Sequence, residues 1–213
     1  MKNRFPRLAC SLFILFYSGG ALCAQEPGKE GETPRVPARQ VRGGIVTMYA
    51  LDPLSRSLCF RDGREGLTFQ NNRWANRCSD LNFNVAPEGS LVSGIEANRV
   101  AAIVDLGTPN DLRQRYGYDD ADGGGEGFAS LRLQDDKIVI LKEDNPNEKL
   151  QPLREGPALF TDVGPSAAAP VRLGHIYLVR IADKKDRTYQ QLVKLMIIAY
   201  RPNESITLRW EPL

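Results

Sequence analysis

GHIYLVRIADKKDRTYQQLVKLMIIAYRPNESITLRW, residues 174–210, is the stretch that decides the fold. It divides into three apolar runs separated by two polar stretches, KKDRT and RPNE, the pattern of a three-stranded antiparallel meander. The last run alternates, with Ile206, Leu208 and Trp210 on one face and Ser205, Thr207 and Arg209 on the other. Successive strand side chains point to opposite faces, so this period of two puts the first set on a core and the second toward water. The middle run, 189–200, is ambiguous by spacing alone, because Leu192, Val193, Leu195, Met196 and Tyr200 also fit one face of a helix. Its Val and Ile content and its short connections favour a strand.

The chain has 213 residues and 42% apolar content, enough for one domain with a sizeable core. Residues 1–24 read as a secretory signal peptide rather than structure. Lys2, Arg4 and Arg7 make a basic start, residues 8–17 a short apolar run, and small residues precede a cut after Ala24. That run is shorter than the roughly 20 residues that span a bilayer, so no transmembrane span is expected in the mature chain. Leu22 before Cys23 is too large for a lipid-attachment signal. Without this segment 25 basic residues face 26 acidic ones, and the formal charge moves from +2 to −1. The apparent basicity belongs to the signal, which removes the argument for nucleic acid as a partner. Cys10 and Cys23 leave with it. Cys59 and Cys78 remain, and an even count in an exported chain points to a disulfide.

Residues 25–44, rich in Pro, Gly and charge, read as a flexible tether, followed by a single β-rich domain over 45–213 that opens with the strand IVTMYAL. Arg61 to Gly66 reads as a turn, 67–70 as a short strand, and Trp74 is expected to pack near the disulfide. Leu81, Phe83 and Val85 alternate on one face, and 91–96 with 99–106 suggest a hairpin through Ala97-Asn98. Residues 108–116, TPNDLRQRY, carry a helix start: Thr108 as cap, Pro109 at the first helical position and Asp111 in the first turn. Residues 118–127 form a glycine-rich acidic loop, and 128–133 with 137–142 a hairpin turning at Gln134-Asp135-Asp136. Residues 157–163 read as a strand and 164–170, GPSAAAP, as a small-residue loop.

The blocks CFRDGREGLTFQNNRWANRCSDLNF and GHIYLVRIAD with SITLRW resemble a group of secreted bacterial proteins to which no activity is assigned. The resemblance spans 55–210 and implies export and a β-rich domain.

Candidate chemistry is sparse. Asp119, Asp120, Asp122 and Glu126 among glycines are the best ligand set, since hard cations such as calcium take six to eight oxygens. The spacing lacks the alternation and terminal bidentate Glu of the helix–loop–helix calcium motif, so a solvated acidic turn is the plainer reading and no cofactor is expected. Tyr116, Tyr118 and Phe128 flank that loop as candidate binding aromatics, with ordinary core packing as the competing explanation. His175, the single histidine, opens a strand, where one structural hydrogen bond is expected rather than general-base work. No GxSxG elbow, HExxH or phosphate loop occurs, so no catalytic residue is assigned. Asn203-Glu204-Ser205 matches the N-glycosylation acceptor, which matters only in a eukaryotic host.

The sequence therefore points to a mainly β protein, an antiparallel sandwich or open barrel with one short helix and one disulfide, secreted or periplasmic. The expected function is a non-enzymatic binding or structural module for an envelope or extracellular protein or glycan. The alternative is a hydrolase working on polysaccharide through two facing carboxylates, a mechanism that leaves no local sequence motif.

Overall fold

The computed structural model describes residues 42–52, 55–61, 63–65, 68–70, 73–76, 78–85, 87–95, 98–117, 127–141, 150–161 and 167–213. The elements in chain order are β1 (Gly44–Tyr49), β2 (Ser57–Cys59), β3 (Arg64–Glu65), β4 (Thr68–Gln70), β5 (Arg73–Asn76), β6 (Leu81–Phe83), β7 (Ser90–Ser93) and β8 (Arg99–Gly107). There follow α1 (Pro109–Tyr116), β9 (Leu131–Gln134), β10 (Lys137–Ile140), β11 (Gln151–Pro152), a 3₁₀ turn (Gly156–Phe160) and β12 (Ala167–Pro170). Then come the three long strands β13 (Ile176–Asp183), β14 (Gln190–Arg201) and β15 (Ser205–Pro212).

The meander forms as its alternation requires, and β14 is a strand along its whole length. These strands centre an antiparallel sheet of order β1–β15–β14–β13–β8. A second sheet runs β12–β7–β6–β2–β3, a third β11–β10–β9, and β4 pairs with β5; no sheet closes into a barrel.

Both phases of β13 and β14 are apolar, and this makes the large sheet a middle layer. Tyr177, Val179 and Ile181 of β13, Val193, Leu195 and Ile197 of β14, and Ile206, Leu208 and Trp210 of β15 face the second sheet. They meet Leu58, Leu81, Phe83 and Leu91 there, while the Trp210 ring lies 5.2 Å from that of Phe60. Ile176, Leu178 and Leu192 point the other way, into a second core with Leu112 and Tyr116 of α1, Leu131, Ile138 and Leu159. Full burial of one such side chain contributes about 1.5–3 kcal/mol, so neither core is incidental.

Local chemistry explains the connections. Thr108 caps α1: its hydroxyl accepts from the Asp111 N–H at 3.2 Å, and the Asp111 carboxylate accepts from the Thr108 N–H at 2.8 Å. The β9–β10 hairpin turns on Asp135 (φ 48°) and Asp136 (φ 58°), the left-handed pair that a two-residue hairpin loop needs.

Four expectations are corrected. Residues 91–96 and 99–106 are not a hairpin, because β7 belongs to the second sheet and β8 to the large one. The chain crosses between layers there, with Gly94 (φ 74°) and Asn98 (φ 73°) providing the bends. The expected strand at 157–163 begins instead as the 3₁₀ turn, for which Pro157 presets φ near its start. The small-residue loop contains β12, which pairs with β7 and buries Ala167 and Ala169 alternately. Val85 leaves the face of Leu81 and Phe83, since β6 ends at Phe83. The side chain of Trp74 and residues 1–41 lie outside the described residues.

If the large sheet is covered on both faces, Leu195→Ala and Leu178→Ala, at fully buried sites on opposite faces, should each cost about 2–5 kcal/mol. Urea unfolding of the two variants is the check. A near-neutral Leu178→Ala would mean that the layer holding α1 and the β9–β10 hairpin is not packed as described.

Candidate functional site

The acidic loop residues Asp119, Asp120, Asp122 and Glu126, and Tyr118 with them, lie outside the described residues. Tyr116 and Phe128, the other candidate binding aromatics, are core side chains, which is the packing explanation. The Tyr116 hydroxyl donates to Glu155 at 2.6 Å and accepts from the Arg154 N–H at 3.0 Å. Arg115 donates to the same carboxylate and to the Leu106 carbonyl. Burial, with Glu155 beside it, pushes the Tyr116 phenol above its ordinary pKa.

Phe128 packs against two cations. Lys194 Nζ lies 4.7 Å and Arg209 Cζ 4.8 Å from the centre of its ring. Lys194, on β14, is 2% exposed, and its ammonium donates to the Phe128 carbonyl at 2.7 Å and the Leu131 carbonyl at 3.3 Å. It also pairs with Glu211 at 3.3 Å, which Arg209 holds at 2.6 Å. Burial lowers the Lys194 pKa despite the Glu211 charge. Burial raises that of Glu211, but the Arg209 hydrogen bond and the Lys194 charge outweigh it and leave it low. The cluster ties the segment after the acidic loop to the central sheet.

Cys59 and Cys78 form the expected disulfide, with a Cα–Cα distance of 5.3 Å. Asp80 lies beside it, 2% exposed, with Oδ2 at 2.8 Å from the Phe60 N–H and 3.4 Å from Cys78 Sγ. Its Oδ1 accepts from the Tyr189 hydroxyl at 2.8 Å. Arg99 stacks on the Tyr189 ring at 3.5 Å and pairs with Asp183 at 3.4 Å. Desolvation raises the Asp80 pKa against these hydrogen bonds and the Arg99 and Arg61 charges. Cys59, Cys78 and Asp80 are close enough together to hold a metal, but the disulfide consumes both sulfurs.

His175 immediately precedes β13, and its Nδ1 faces both oxygens of Asp105 at 2.8 and 3.1 Å. Arg172 reaches the same carboxylate at 3.5 Å, and Gly107 N–H donates to it at 2.8 Å. This is an imidazole oriented by a carboxylate. Asp105 is the only hydrogen-bond partner of the ring among the described residues, and none of these residues sets a nucleophile in hydrogen-bond contact with it. Tyr177 is anchored nearby, its hydroxyl donating to the Pro170 carbonyl at 2.8 Å, and burial pushes its pKa up to about 12.

A cavity opens where the layer holding α1 and the β9–β10 hairpin meets the large sheet. It measures about 200 Å³ and is lined by Leu133, Asp136, Phe160, Gln190, Leu192 and Leu213. Leu133 and Phe160 form its lip at 41% and 40% exposure. The Arg180 guanidinium, 5.4 Å from the centre of the Phe160 ring, also donates to the Leu159 carbonyl and so fixes that wall. Nothing in the sequence pattern marked this site, because its walls come from four separate elements.

Because the folded pKa of Asp80 is raised, its contribution to stability is full below the ordinary carboxylate pKa of about 3.9 and is lost as pH rises through the folded value. Asp80→Asn lacks this charge, so denaturant unfolding between about pH 3 and 8 should show the wild type losing ground to the variant as pH rises. A difference that does not change with pH would rule out the raised pKa. Opening the disulfide by replacing both cysteines with serine should cost about 3 kcal/mol in the same assay, for a loop of about 20 residues.

No family model, curated protein or solved structure matches the chain.

Proposed function

We propose that the protein is an exported, non-enzymatic binding module that receives one large apolar side chain of a partner polypeptide in the cavity between Leu133 and Phe160. The carrying observation is the size and lining of that cavity. At about 200 Å³ it is below the 300–1,000 Å³ usual for small-molecule sites, yet it holds a leucine or aromatic side chain. Two half-exposed apolar walls around a buried floor are the form that an interface anchor fills, with the rim excluding water. Asp136 on the rim and Asp135 beside it favour a partner with a lysine or arginine next to its anchor.

Export is supported by the disulfide and by the pattern of residues 1–24, since disulfides persist in oxidising compartments. Among the described residues no helix is long and apolar enough to cross a membrane. The polysaccharide-hydrolase alternative needs an accessible carboxyl with a raised pKa. Asp80 is the described carboxyl so shifted, and it is closed off with both oxygens engaged.

A random peptide library selected on the purified protein should enrich sequences with one large apolar residue beside a lysine or arginine. Phe160→Ala and Leu133→Lys should each weaken their binding by about tenfold or more, the loss of one buried anchor. Enriched peptides that bind both variants as well as wild type would sink the cavity as the site.

A further inference from the structure

We infer that β1 pairs with β1 of a second copy of this chain, joining two large sheets edge to edge. β1 is the outer strand of its sheet, paired through Gly44 to Tyr49 with β15 on one side only among the described residues. The Ala50 N–H donates to the Glu204 carbonyl at 2.8 Å, which places the backbone groups of the even-numbered residues toward β15 and those of Ile45, Thr47 and Tyr49 outward. Tyr49 is already satisfied by the turn that follows: its N–H donates to the Ser55 carbonyl, and its carbonyl accepts from Asp52, both at 3.3 Å. The N–H and C=O of Ile45 and Thr47 have no partner among the described residues.

Exposed edges of soluble proteins are commonly blunted by charge, proline or a bulge. The strand GIVTMY has none of these, and Ile45 is 69% exposed on it. The free groups are self-complementary. An antiparallel pair centred on Val46 sets Ile45 opposite Thr47 of the second copy, twice, so that every free N–H meets a free C=O. In this register Tyr49 lies opposite Gly43, which brings no side chain against it. Gly43 must be glycine in any case, with φ 107° and a Cβ position 2.3 Å from the Trp210 carbonyl oxygen. Arg42 falls diagonal to Asp52 of the second copy, opposite charges within reach of a long side chain. Such a pair is isologous and closes at two copies, which commits the occupant to a second chain rather than to a growing fibre.

The test is sedimentation velocity on the exported chain from about 1 µM to about 1 mM. A reversible monomer–dimer equilibrium is expected. Thr47→Pro removes a donor where the N–H faces outward and proline is tolerated. It should raise the dimer dissociation constant by about tenfold or more, from two lost hydrogen bonds. Ile45→Lys, at a solvent-exposed position, should do the same by placing a charge on the edge. Unfolding midpoints equal to wild type would exclude misfolding as the cause. A monomer at every concentration, a dimer untouched by both variants, or an open-ended series of larger species would each overturn the inference. The peptide assay above reads a different surface, so either result stands without the other.

Discussion

The architecture rests on one constraint: β13 and β14 carry apolar side chains in both phases of the strand, so both faces of their sheet must be taken out of water. Tyr177, Val179 and Val193 need cover above, and Ile176, Leu178 and Leu192 need cover below. Burial of apolar area is non-directional, so different elements serve. Above, a second sheet stapled by Cys59–Cys78 does so. Below, one short helix, a hairpin and a 3₁₀ turn are assembled from segments too short to hold a core of their own.

Covering a sheet with short pieces leaves polar groups inside, and the structure answers with buried ionisable side chains used as ties. Lys194 occupies a core position in β14 and spends its ammonium on the carbonyls of Phe128 and Leu131, with Glu211 balancing the charge. Asp80 does the same above, taking the Phe60 N–H and the Tyr189 hydroxyl. The desolvation that lowers the lysine and raises the carboxyl measures what each tie costs; removing one partner would leave an uncompensated group, whereas the intact set fixes where a loop lands. These groups carry perturbed pKa values for a structural reason.

Much of this was legible in the residues because it rests on local rules. The alternation Ile206, Leu208, Trp210, the cap at Thr108 with Pro109, and the pairing of Cys59 with Cys78 each need only sequence neighbours or compartment chemistry. The hairpin misread through Ala97-Asn98 failed because two adjacent strands can pair or can part into different layers, and a turn signal is the same for both. Residues 157–163 failed because a proline-led apolar run fits a short helical turn as well as a strand. Tyr116 and Phe128 lie beside an acidic loop in sequence, yet point away from solvent toward Leu112 and Ile138. The candidate cavity was invisible for a stronger reason: Leu133 and Phe160 become neighbours of Leu192 only after the β9–β10 hairpin and the 3₁₀ turn have docked onto β14.

The two candidate interaction surfaces share a cause. The lower layer covers β8, β13 and the start of β14, and through Phe128 it reaches Arg209 on β15. Where its hairpin and 3₁₀ turn run out beside Gln190 and Leu192, their end residues Leu133 and Phe160 overhang a gap and form the cavity. On β1 the side chains of Ile45 and Tyr49 face solvent and Thr47 is half-buried with its hydroxyl 2.9 Å from that of Thr207, while Met48 is buried on the other face with Val46 partly buried beside it. A strand with one buried face has its register fixed by that face, so the free edge is held rigid and presents its hydrogen-bonding groups in a set order. The apolar positions left in water are thus the margins of a cover built from short segments, and a margin held by a rigid sheet loses little conformational entropy if a partner docks on it.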